Sequence, residues 1–132
     1  MSIFLDTSGL LAIINADDKY HVHAKKSWIE IISNNEYLLT TNYIIIETIS
    51  LLQSRIGFDA VHTLHEDIIP VLHLQFINEA IHNAAMSALV TASRRNLSFV
   101  DCASFECMRR LGIKKAFTFD SHFSEQGFEC IP

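Results

Sequence analysis

Short apolar runs recur along this chain of 132 residues, and the stretches between them carry apolar side chains three and four apart. Residues 3–5, 37–40, 71–74 and 116–119 read as strands, with 128–131 as a fifth at a sheet edge. Helical spacing fills the gaps. Leu10, Leu11, Ile13 and Ile14 share a face in 8–15, and Ala24, Trp28, Ile31 and Ile32 do so before Asn34 and Asn35. The pattern over 43–55 is apolar nearly all round its first turn, and Gly57 follows as a stop. Phe58, Val61, Leu64 and Ile68 are spaced as one helix closed by Pro70, and Asn78 caps a long helix with Ile81, Ala85, Ala88, Leu89 and Ala92 in a stripe ending at Asn96. Ser98-Phe-Val-Asp101 is a capping box for a helix that stops at Gly112. Strands alternating with helices imply an α/β fold: a mostly parallel sheet of four to five strands, covered on both faces and joined by right-handed crossovers. At this length it forms a single domain, 1–132, with no linker tract and no repeat.

Four carboxylates stand at the ends of apolar runs: Asp6 after Ser-Ile-Phe-Leu, Glu47 after Tyr-Ile-Ile-Ile, Asp101 after Leu-Ser-Phe-Val and Asp120 after Ala-Phe-Thr-Phe. A carboxylate in a poorly hydrated site costs several kcal/mol unless hydrogen bonds, a cation or a metal compensate. Singly, three have ordinary explanations, with Asp6 and Asp101 as helix caps and Asp120 as a turn residue. Glu47, one turn into an isoleucine-rich helix expected to be buried, is the hardest to explain that way. Asp6 and Asp120 fall at the carboxyl ends of strands, where parallel sheets place their ligands. Convergence of the four would suit a hard cation, magnesium or manganese, as one or two ions held partly through water. Ser8 and Thr118 or Ser121 are hydroxyls placed to orient that site.

The other signals narrow the class. Net charge is −5, so the chain does not hold nucleic acid by overall basicity, although a bound divalent ion would reverse the local field felt by a phosphate. Among the paired basic residues, Arg94, Arg95, Arg109 and Arg110 are the candidates for phosphate contacts. Three cysteines with no Cys-x-x-Cys indicate reduced thiols, and Cys102 and Cys107 fall on a helix as small buried hydrophobes. Seven histidines lack the spacing of a helical metal pair. His122, two residues after Asp120, is kept as a candidate phosphate or supporting contact. No apolar stretch approaches a membrane span and no basic leader precedes the first strand, which places the expected location in the cytoplasm, away from membranes.

Phe-Leu-Asp6-Thr-Ser8-Gly, Thr41-Asn42-Tyr-Ile-Ile-Ile-Glu47, Leu97-Ser98-Phe-Val-Asp101 and Thr118-Phe-Asp120-Ser-His122-Phe with Gly127-Phe128, in this order, resemble a PIN-domain ribonuclease. The resemblance runs the whole length and is closest to the VapC-type toxins of toxin–antitoxin pairs. It implies a three-layer α/β/α sandwich and a magnesium- or manganese-dependent endoribonuclease, in which Asp6, Glu47, Asp101 and Asp120 match the metal-holding acids and Ser8 and Thr118 match hydroxyls lining the site. It also implies a homodimer and a small cognate antitoxin, through which alone DNA would be contacted. Many members carry a second acid where this chain has His122. The rivals are a PIN nuclease of RNA processing, an aspartate-based phosphatase or phosphoacceptor using Asp6, and a non-catalytic module whose acidic pocket receives a partner's arginine. The phosphatase reading lacks an acid at position 8 and a lysine after the last strand.

Overall fold

The structure, a computed structural model, describes residues 1–132. Five parallel strands form one sheet in the order β3-β2-β1-β4-β5: β1 (Ser2–Leu5), β2 (Tyr37–Thr41), β3 (His73–Gln75), β4 (Lys115–Phe117) and β5 (Glu129–Ile131). Phe4 and Leu5, Leu38 to Thr41, and Ala116 and Phe117 are buried consecutively instead of alternately. Such continuous burial requires cover on both faces, and the helices α1 (Thr7–Ile14), α2 (His21–Ser33), α3 (Asn42–Arg55), α4 (Phe58–Thr63), α5 (Glu79–Ala92), α6 (Phe99–Leu111) and α7 (Ser121–Glu125) supply it. This is the expected α/β/α sandwich.

The strand order decides where a ligand site can form. From the central β1 the chain builds outward through β2 and β3, then returns to the other side of β1 for β4 and β5. The direction therefore reverses between β1 and β4, which opens a crevice beyond their carboxyl ends. Leu5 pairs with Phe117, and the Asp6 amide donates to the Phe117 carbonyl at 3.2 Å, so the last residues of both strands are held in register at that crevice. Gly9 lets α1 lie close against it: a Cβ there would meet the Phe117 carbonyl oxygen at 2.4 Å.

Several local features differ from the sequence pattern, each for a visible reason. The helix begun at Phe58 runs on through a π-helical segment, Leu64–Ile68, and a 3-10 turn, Ile69–Val71, whose first positions admit Pro70; β3 consequently begins only at His73. The stripe of α5 is buried only at Ile81 and Ala85, while Ala88 and Ala92 are exposed, and Ser93 in a left-handed conformation ends the helix before Asn96. Asp17 and Asp18, which read in the sequence as a turn and cap before the second helix, form the turn without capping α2: the Asp18 side chain accepts from the Tyr20 amide just before it. The short α7 was not anticipated, since five residues give too little periodicity, but Asp120 caps it and Phe123 is fully buried beneath it. No helix is long and apolar enough to cross a membrane.

Candidate active site

Asp6 stands on the last turn of backbone between β1 and α1 and is 4% exposed. It does not cap α1 with its side chain. Its Oδ2 instead accepts the Ser8 and Thr118 hydroxyls, each at 2.9 Å, bringing a residue of α1 and the residue after β4 onto one carboxylate oxygen. The hydroxyls are themselves fixed. Ser8 Oγ accepts the Phe119 amide at 2.9 Å, Thr118 Oγ1 accepts the Asp120 amide at 3.0 Å, and the two oxygens lie 3.1 Å apart. Burial raises the Asp6 carboxyl to about 6; the Thr118 and Ser8 hydroxyls oppose the shift, the Asp101 charge adds to it, and the Thr7 amide opposes it.

Asp101 combines two tasks. Ser98 Oγ accepts the Asp101 amide at 3.0 Å and Asp101 Oδ2 accepts the Ser98 amide at 3.2 Å, completing the capping box of α6. The same carboxylate lies in a group with Asp120 and His122 whose ligand atoms are all within 4.8 Å of one another. Burial raises its carboxyl above the usual range against the pull of the Ser98 amide, and the Asp120 charge raises it further. Asp120 caps α7, with Oδ1 accepting the His122 amide at 2.9 Å. The His122 ring has its Nδ1 2.9 Å from that oxygen and 3.6 Å from Asp101 Oδ2, yet this buried nitrogen makes no aligned hydrogen bond. Two carboxylates and an unpartnered imidazole nitrogen form a donor set that fits a divalent cation.

Residues 3–129 match the PIN-domain family model, spanning this crevice and reaching from β1 to the start of β5. The chain belongs to the PIN-domain family. It is 36% identical over 127 residues to the 23S rRNA-specific endonuclease VapC20 of Mycobacterium tuberculosis, with 96% of this chain and 95% of that protein aligned. The crystal structure of VapC20, described as a toxin cleaving the sarcin–ricin loop, superposes with a TM-score of 0.86 over 98% of this chain and 99% of that one. A VapC ribonuclease of Aquifex aeolicus is 22% identical, with 96% of this chain and 93% of that one aligned. FitAcB of Neisseria gonorrhoeae, at 14% identity and a TM-score of 0.70 over 98% and 96% of the two chains, shares the fold.

The remaining candidates in this PIN domain are placed unequally. Glu47 is half-buried and its carboxylate makes no hydrogen bond or ion pair, while the preceding Ile46 is 62% exposed. The start of α3 buries Ile44, Ile45 and Thr48 only, so the desolvation argued for Glu47 from its isoleucine run falls on Asp6 instead. Ser121 is exposed at the first turn of α7 and its hydroxyl makes no hydrogen bond. Arg94 pairs with Glu125 at 3.1 Å and Arg110 with Glu106 at 2.9 Å. Arg109 donates to Gln126 Oε1 at 2.7 Å and lies over the Phe105 and Phe128 rings, so it ties α6 to the end of α7. Arg95 alone of the four is exposed with neither an ion pair nor a side-chain hydrogen bond. Cys102 and Cys107 are buried, and burial pushes the Cys107 thiol up to about 11. One buried hydroxyl escaped the sequence reading: Ser104 Oγ, a turn beyond Asp101 on α6, has no partner, and the Asp101-x-x-Ser104 spacing was its only trace.

Proposed function

We propose that this chain is a divalent-metal-dependent endoribonuclease that hydrolyses RNA phosphodiester bonds and acts as the toxin of a toxin–antitoxin pair. The observation that carries the reading is the convergence of Asp101, Asp120 and His122 beside the buried Asp6 at the β1/β4 switch point of a PIN domain. Asp101 and Asp120 are the carboxylates that would hold magnesium or manganese, as one or two ions partly through water, with Asp6 and Glu47 completing the acidic surround and His122 beside them as a supporting contact. Once bound, the ion supplies charge stabilisation at a phosphoryl oxygen and activates water at neutral pH.

The protein's own contribution is orientation. Asp6 cannot rotate freely, because the Ser8 and Thr118 hydroxyls both donate to its Oδ2 and are fixed in turn by the Phe119 and Asp120 amides. Asp101 is clamped by its own helix cap and Asp120 by α7. Side chains locked by such partners need little rearrangement as charge develops during reaction. The enclosure of Asp6 also speaks against its use as a phosphoryl-accepting nucleophile, which needs an open face toward substrate.

VapC20 is a 23S rRNA endonuclease, and its identity along the full chain makes large-subunit ribosomal RNA the first substrate to examine. A small antitoxin and a second copy of the chain are the proposed partners, with the cytoplasm as the place of action. The test is incubation of purified protein with total ribosomes, transfer RNA and a messenger RNA, with manganese, with magnesium and with EDTA, followed by mapping of new RNA ends. Discrete cleavage that needs the metal supports the reading, and intact RNA under all conditions or cleavage persisting in EDTA overturns it.

A further inference from the structure

Phe119 lies between Thr118 and Asp120, and its ring starts a column that leaves the site for solvent. The Phe117 ring, fully buried, meets it edge-on at 6.2 Å between centroids. On Phe119 stacks Tyr20, 4.4 Å away and within 3° of parallel, and Lys19 Nζ lies 4.9 Å from the Tyr20 centroid. Tyr20 is 37% exposed. The column is anchored at both ends: the Phe119 amide donates to Ser8 Oγ, the Tyr20 amide donates to Asp18 Oδ1 at 2.8 Å, and the next residue, His21, has its Nδ1 2.8 Å from the Ala12 carbonyl oxygen.

We propose that Tyr20 is a stacking platform for an unpaired nucleobase next to the scissile phosphate, and that Lys19, displaced from the ring as the base arrives, contacts an adjacent phosphate. This inference rests on the endoribonuclease reading and names how that site grips its substrate. A protein of net charge −5 needs cations near its acidic site to admit RNA. Arg94, Arg109 and Arg110 are held by Glu125, Gln126 and Glu106, and Lys115 lies 3.7 Å from Glu129. Lys19 and Arg95 make no ion pair, and Lys19 lies beside a ring stacked on the residue before Asp120. Every base offers a π-face, so a rigid, half-exposed tyrosine with a free ammonium beside it suits a base splayed from a loop, and the ordering of its ring is already complete before RNA arrives.

A positioning role differs from mere packing of the α1–α2 turn in one measurable way, which is dependence on a particular base. Binding of a fluorescent single-stranded oligoribonucleotide is measured by anisotropy on the wild-type chain in calcium, and each nucleotide is replaced in turn by an abasic one. Wild type should lose about 5- to 100-fold in affinity at one position. Tyr20→Leu should bind the unmodified RNA that much more weakly and lose nothing further at that position, whereas Tyr20→Phe and Tyr20→Trp should restore the wild-type pattern. Lys19→Gln should flatten the salt dependence by about one charge without changing the abasic profile. Equal abasic profiles for wild type and Tyr20→Leu would overturn the platform, as would no binding of RNA at all. Thermal melts of Tyr20→Phe and Lys19→Gln guard against a folding artefact. Because binding is read without turnover, RNA that binds with base coupling but is never cleaved in manganese leaves the platform standing and removes the nuclease reading, while cleavage without coupling does the reverse.

Discussion

Asp6 and Glu47 are both acids that follow an apolar run, yet the protein treats them in opposite ways. At the carboxyl end of β1, Asp6 is enclosed, and its Oδ2 accepts two hydroxyls that belong to α1 and the β4–α7 connection. On α3, Glu47 is half-buried and free of hydrogen bonds, on a helix held elsewhere: Thr41 Oγ1 accepts the Ile44 amide and Thr48 Oγ1 donates to the Ile44 carbonyl. A run of apolar residues before an acid therefore has two meanings. In a strand flanked by two others, the next residue inherits the burial; on a helix, three isoleucines in a row must point in three directions, and one of them, Ile46, faces solvent.

The largest effect that would break the comparison lies at the crevice. Asp101→Asn and Asp120→Asn, each removing one charge from the group shared with His122, should lower RNA cleavage about 10²- to 10³-fold and weaken manganese binding measured by calorimetry. Chelation by EDTA should match either variant. Full cleavage by both variants would mean that the convergence is structural only.

Next is stability at the buried acid. The Asp6 carboxyl is raised from its ordinary value near 3.8 to about 6, so between those values the folded state binds more protons than the unfolded one. Stability should then fall as pH rises from about 4 to about 6, by roughly 3 kcal/mol in the metal-free protein. Asp6→Asn should recover most of that at pH 7, with little gain below pH 4, while cleavage drops. Urea unfolding of both proteins across this range, in EDTA, checks the sign; a variant less stable than wild type at pH 7 would show that the hydroxyl pair already outweighs the burial.

A third change separates the strand edge from the helix by packing. Gly9→Ala brings a methyl against the Phe117 carbonyl, and neither backbone can yield without shifting α1 from β4. A loss of about 1–3 kcal/mol in denaturant unfolding is expected, together with reduced cleavage, because Ser8 and Thr118 move with those two elements. Unchanged activity would mean that the hydroxyl pair tolerates displacement.

How much of this was legible before the structure depends on what each residue answers to. Strand order of apolar runs, the Ser98–Asp101 box and the Asn78 cap are local in cause, and they stand where the sequence put them. Three acids reach one crevice because Asp6, Asp101 and Asp120 end strands or open a helix, positions that chain order alone can assign. The arginine contacts were not legible in the same way: Arg109 is held by Gln126 and two phenylalanine rings from elements that come together only in the fold. His122 was legible as a candidate beside Asp120, but not the approach of its ring nitrogen to Asp101, which depends on α7 turning it back toward α6, and a five-residue helix leaves almost no periodic trace.

The smallest expected effect is on α3 and sharpens the comparison most. Glu47 has no hydrogen-bond or ion-pair partner to lose, so Glu47→Gln should change unfolding free energy by no more than about 0.5 kcal/mol. If Glu47 nevertheless faces the bound ion through water, cleavage should fall several-fold while stability stays put, the reverse of the pattern at Asp6, where stability rises as activity falls. A Glu47→Gln protein with wild-type cleavage and wild-type stability would leave Asp6, Asp101, Asp120 and His122 as the whole site. One that is stabilised as strongly as Asp6→Asn would mean that burial at α3 is deeper than its exposed Ile46 indicates, and the distinction between a strand end and a helix face would fail.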